Sequence, residues 1–84
     1  MMALADKLSR SVIKINGIVQ GVGFRPFVYN LAGSCHINGW VNNFPGGVNI
    51  DAEGIEENMK SFLRRLKEEV PPLSFIDTFH VESA

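Results

Sequence analysis

The hydrophobic pattern of the chain changes period several times, and each change marks an element. Val12-Ile13-Lys14-Ile15-Asn16 reads as a half-buried strand. Gly17 to Gly23 interrupts it with three glycines in seven positions, a loop that needs unusual backbone angles or close approach to a ligand. Phe24, Val28, Leu31, Ala32 and Cys35 then fall at helical spacing, with Pro26 suited to the first turn and the helix fraying by His36. Ile37 to Asn43 reads as a second strand, Phe44-Pro45-Gly46-Gly47 as a turn of the type II order, and Val48 to Glu53 as a third strand with one buried face. Ile55, Met59, Phe62, Leu63 and Leu66 form the stripe of a second helix. Acids at its start suit the helix dipole, and Glu56–Lys60 and Arg64–Glu68 are candidate ion pairs. Pro71-Pro72 stops the helix, and Ser74 to Val81 reads as a last strand.

The order strand, helix, strand, strand, helix, strand predicts an α+β domain of the ferredoxin-like, split βαβ kind (βαββαβ), an antiparallel sheet with two helices on one face. Met1 to Arg10 lacks an apolar segment long enough for a signal peptide and is expected to be a flexible leader, with the domain proper over residues 11–84.

Composition narrows the partners. The 84 residues are 45% hydrophobic and 20% charged, which is ordinary globular composition, and a single small domain is expected. A net charge of -1 without a basic block argues against nucleic acid, and no apolar run approaches membrane-spanning length. One cysteine excludes an internal disulfide and fits a reducing, cytoplasmic setting.

The chemistry concentrates in Gln20-Gly21-Val22-Gly23-Phe24-Arg25. A loop that leaves a strand and enters a helix can aim several backbone N–H groups at one point, where the helix dipole favours an anion. Arg25 at the loop–helix junction can fork onto two phosphate oxygens. The segment is neither a Walker A loop, lacking Gly-Lys-Ser/Thr, nor a dinucleotide fingerprint, since Pro26 stands where the third glycine belongs. From spacing alone, a tight turn with a surface arginine accounts for it as well. Asn43 ends the second strand, where an amide could hold a water, although asparagine before Pro-Gly is commonly a turn former. Asn42 should point to the opposite side of that strand. Cys35 reads as core, and His36 and His80 are too far apart in sequence to suggest a metal site.

Two segments carry a family resemblance. Gly17-Ile18-Val19-Gln20-Gly21-Val22-Gly23-Phe24-Arg25 resembles the acylphosphatase signature G-x-V-Q-G-V-x-F-R, and Gly39-Trp40-Val41-Asn42-Asn43 resembles the second signature, G-W-V-x-N. Both stand in the family's order and at about its separation. Phe24-Arg25-Pro26-Phe27-Val28-Tyr29 and Pro71-Pro72-Leu73 with Ile76-Asp77 further resemble the N-terminal domain of the HypF carbamoyltransferases of nickel–iron hydrogenase maturation.

The resemblance implies hydrolysis of the carboxyl–phosphate bond of acyl phosphates without metal or cofactor. Arg25 would bind phosphate, Asn43 would orient the attacking water, and the N–H groups of Gln20 to Arg25 would cradle the phosphoryl oxygens. In the HypF setting the substrate would be carbamoyl phosphate, and downstream domains of the same chain would be partners. The family usually continues to a fifth strand, so the chain is expected to stop short of it. A free-standing acylphosphatase and a catalytically silent ferredoxin-like binding module are the alternatives; the strands lack the interleaved aromatic and basic residues of RNA-binding sheets.

Overall fold

The computed structural model describes residues 7–19, 21 and 23–84. Strand β1 (Leu8–Ile18) leads through the glycine loop into helix α1 (Phe24–Ser34). The hairpin β2 (Asn38–Phe44) and β3 (Gly47–Ile55) follows, then helix α2 (Glu56–Glu68) and strand β4 (Phe75–Ser83). The four strands lie in the order β2-β3-β1-β4, and every neighbouring pair is antiparallel. This is the expected βαββαβ arrangement.

The core follows from strand alternation. Ile13 pairs with Ile50 and Ile15 with Val48, and these buried positions share the face covered by the helices. The helices contribute Val28 and Leu31 from α1 and Met59, Phe62 and Leu66 from α2, all buried. Phe62, Ile13 and Ile15 are fully excluded from solvent, so truncating any of them removes core volume that a domain this small cannot replace.

The first strand begins earlier than the pattern indicates. Leu8, Ser9 and Arg10, assigned to the leader by sequence, pair with Ile55, Gly54 and Glu53 of β3. The carbonyl of Lys7 accepts the N–H of Glu56 at 2.8 Å, so backbone preceding β1 satisfies the start of α2. Serines hide this stretch: the helix-facing positions Ser9 and Ser11, opposite Gly54 and Ala52, carry no apolar signal. Residues 1–6 of the expected leader lie outside the described residues.

Smaller adjustments have local causes. Ile55 belongs to β3 rather than to the α2 stripe, with extended backbone at φ -66°, ψ 144°. Helix α1 closes in a Schellman arrangement: the N–H of Ile37 donates to the Ala32 carbonyl at 2.8 Å and that of His36 to Gly33 at 3.3 Å. His36 takes the left-handed conformation, φ 57°, that this closure requires. On α2 the ion pairs formed are Arg64–Glu68 and Arg65–Glu69; Glu56 and Lys60 do not pair. The Pro45-Gly46 turn has Gly46 at φ 85°, as a type II turn demands.

Candidate functional site

Two buried side chains pin the ends of the glycine loop. Val19 and Phe24 are each 1% exposed, and the Phe24 ring packs against that of Phe27 at 5.6 Å between centroids. Between them the backbone is exposed at Gly21 and Gly23. Both have positive φ, 72° and 83°, so glycine is required here by conformation. Nothing lies within 4 Å of where a Cβ would stand on either, so the space beside them is open. Gln20 and Val22, the other loop residues assigned to phosphate binding, lie outside the described residues.

Gly23 is the N-cap of α1, and its carbonyl accepts the N–H of Phe27 at 3.1 Å. Among the described residues no side chain caps the helix, and its first turn contains no acid. Pro26 has no N–H to offer. The N–H groups of Phe24 and Arg25 therefore point out of the helix start into the field of the dipole with no capping side chain. Arg25 is exposed, and among the described residues no carboxylate pairs with it. Among the described residues, the start of α1 thus presents donors and a guanidinium with no carboxylate paired to them.

The register brings Asn43 to the same end of the sheet. β1 and β2 both run antiparallel to β3, so their C-terminal ends coincide. Asn43 pairs with Val48, which pairs with Ile15, so Asn43 faces the helix side and is exposed at the sheet edge. Asn42 pairs with Asn49 and faces the opposite side, as its position in the strand predicts. The expected pair of functional side chains is therefore offered at one end of the domain, on the face that carries α1.

A groove of about 400 Å³ runs between α1 and β2, lined by Tyr29, Gly33, Trp40 and Val41 among others, and neither Arg25 nor Asn43 contributes to it. Backbone N–H groups recognise a phosphoryl group by direction and charge, so depth is not a requirement.

Sequence reasoning missed the polar framing of this end. The N–H of Gly17 donates to the carbonyl of Gly46 at 3.1 Å, joining the loop entrance to the β2–β3 turn. The hydroxyl of Thr78 donates to Oδ1 of Asn16 at 3.1 Å, joining β4 to β1 beside it. The three glycines at Gly17, Gly46 and Gly47 were the signal available. Further along the sheet, Arg10 forks onto both carboxylate oxygens of Asp51 (Nε to Oδ1, 2.9 Å), and this hydrogen bond holds the Asp51 carboxyl below its ordinary range. No helix among the described residues is long and apolar enough to cross a membrane.

Comparison with known proteins agrees with this geometry. The sequence profile of the family described as Acylphosphatase matches residues 11–84. The probable carbamoyltransferase HypF of Methanocaldococcus jannaschii is 49% identical over 70 residues, covering 83% of this chain and 9% of that protein. The acylphosphatase of Bacillus licheniformis is 47% identical over 60 residues, covering 70% of this chain and 67% of the relative. Among solved structures, full-length HypF in its phosphate- and nucleotide-bound form superposes with a TM-score of 0.92 at 41% identity, over 99% of this chain and 11% of that one. Acylphosphatase from Bacillus subtilis gives 0.82 at 38% identity, over 93% of this chain and 86% of that one. The chain thus spans about a tenth of the HypF proteins it matches, corresponding to their small N-terminal part. With a profile match over nearly its whole length, the expected fold, and both signature segments at one end of the sheet, the chain belongs to the acylphosphatase family of hydrolases.

Proposed function

We propose that this domain hydrolyses the carboxyl–phosphate bond of an acyl phosphate, with carbamoyl phosphate as its substrate, as the N-terminal part of a HypF-type carbamoyltransferase. The observation that carries the reading is the uncapped, acid-free start of α1 beside Arg25, at the sheet end where Asn43 also stands. The resemblance to HypF supports carbamoyl phosphate over other acyl groups, a cytoplasmic setting, and downstream domains of the same protein as partners.

The chemistry asks little covalent help from the protein. In the proposed step, the N–H groups of Gly23, Phe24 and Arg25 and those of the preceding loop hold the phosphoryl oxygens, and the Arg25 guanidinium neutralises their charge. The Asn43 amide accepts a hydrogen bond from a water and aligns it with phosphorus. Water attacks, the bond between phosphorus and the carboxyl oxygen breaks, and the carboxylate leaves as inorganic phosphate forms. A carboxylate is a good leaving group, so no strong general base is needed, and neither signature segment contains one. With carbamoyl phosphate the leaving group is carbamate, which downstream domains would receive.

The test is phosphate release from acetyl and carbamoyl phosphate by the purified chain, Arg25→Ala and Asn43→Ala. Active parent protein and losses of about 10²-fold or more in both variants are expected. A well-folded but inactive parent overturns the reading.

A further inference from the structure

The candidate catalytic groups sit on two separate elements. Arg25 and its neighbouring N–H groups follow β1, whereas Asn43 belongs to the β2–β3 hairpin. In-line attack requires that these two elements keep a fixed relation, since displacements of about 1 Å can cost 10²-fold in rate. The question is what fixes them at this end of the sheet.

The fold supplies a polar row there. Gly47 of the hairpin pairs with Asn16 of β1, and Asn16 pairs with Thr78 of β4. The Thr78 hydroxyl donates to Oδ1 of Asn16 at 3.1 Å, and one residue further the Gly17 N–H donates to the Gly46 carbonyl at 3.1 Å. Immediately after Asn16 the β1–β4 register shifts: Asn16 opposes Thr78 but Gly17 opposes Ile76, so Asp77 is the bulged residue. A Cβ on Gly17, at φ 145°, would stand 2.1 Å from the Phe75 carbonyl oxygen, so the shift brings β4 backbone hard against the loop entrance. A Cβ on Gly46 would lie 3.7 Å from Nδ2 of Asn16, placing that amide against the turn. One side chain therefore touches β4 on one side and borders the hairpin turn on the other, next to the backbone bond that ties the turn to the loop.

We infer that Asn16 and Thr78 are positioning residues, holding the Asn43-bearing hairpin in a fixed relation to the phosphate loop through the Gly17–Gly46 hydrogen bond. Neither touches substrate. The inference rests on the hydrolase reading above and adds to it a pair of residues outside both signature segments' functional positions.

The test compares the parent with Asn16→Ala, Thr78→Val, Thr78→Ser and the double variant Asn16→Ala/Thr78→Val. Kinetics on acetyl phosphate and hydrogen exchange of the Gly17 amide are both measured. Asn16→Ala and Thr78→Val are each expected to lower kcat about tenfold with little change in KM, because alignment rather than binding is lost. Gly17 exchange should quicken in both, Thr78→Ser should restore kcat and protection, and the double variant should be no worse than either single one. A parent that is active while both single variants keep its kcat overturns the inference and leaves the hydrolase reading standing. A fall in kcat that Thr78→Ser does not rescue, or one without a change at Gly17, also overturns it. An inactive parent overturns the hydrolase reading itself.

Discussion

Asn43 and Ile15 lie on one row of the sheet, linked through Val48, and both face the helices although strand β3 lies between the strands that carry them. Under the proposed function, parity along β2 thus decides which of two adjacent asparagines is in place to act. Asn43→Ala should abolish most turnover, while Asn42→Ala, whose side chain faces away from α1, should keep activity within about twofold of the parent. Steady-state phosphate release from acetyl phosphate reads both, and equal losses in the two variants would contradict the assignment.

Two glycines of α1, one at its N-cap and one inside it, should respond oppositely to alanine. Gly23 at φ 83° forces an alanine into left-handed backbone, a cost of about 1–2 kcal/mol, so Gly23→Ala should melt several degrees lower. Gly33 lies within α1, and no atom stands within 4 Å of its missing Cβ. Gly33→Ala should therefore stabilise by about 0.5–1 kcal/mol. Thermal unfolding followed by circular dichroism distinguishes the signs, and only Gly23→Ala should also lose activity.

The closing turn of α1 leaves room for improvement. His36 holds φ 57° at the position where helices commonly place glycine. His36→Gly removes the steric cost of that conformation and should raise stability by up to about 1 kcal/mol, measured as a higher urea midpoint at unchanged slope.

The Arg10–Asp51 pair makes a prediction with a definite sign. Its hydrogen bond lowers the Asp51 pKa in the folded chain, so the contribution is present above the unfolded carboxylate value, about 3.9, and is lost as pH falls through the folded one. Asp51→Asn should therefore lower the urea midpoint near neutral pH, and its difference from the parent should shrink below about pH 4. In the parent, the Asp51 carboxyl should titrate below the ordinary range by NMR and return towards it in Arg10→Gln.

The main elements were legible because their patterns are strong. The α2 stripe Met59, Phe62, Leu66 and the strand Val48, Ile50, Ala52 each show one period and one buried face. The candidate site stood out for a different reason: Gly21 and Gly23 mark a loop where positive φ excludes most side chains, and Arg25 follows at the helix start. The early part of β1 was not legible, since Ser9 and Ser11 occupy its inward positions and carry no hydrophobic signal. The Asn16–Thr78 contact spans 62 positions of sequence, and no local pattern could announce it. Nor could spacing distinguish Glu56–Lys60, which stays apart, from Arg65–Glu69, which closes.

The bare start of α1 has a thermodynamic side. Most helices meet their first N–H groups with a side chain of their own; among the described residues this one has neither cap nor acid there, and Pro26 removes one donor outright. Under the proposed function, the folded state offers an anion a site that the unfolded chain lacks. By mass action, any anion that fills it shifts the folding equilibrium, by about 2.7 kcal/mol at a concentration one hundred times its dissociation constant. Under the proposed function, substrate and product would be folding partners: phosphate alone should raise the melting temperature, and the margin by which the chain stays folded would then depend on the anion's concentration.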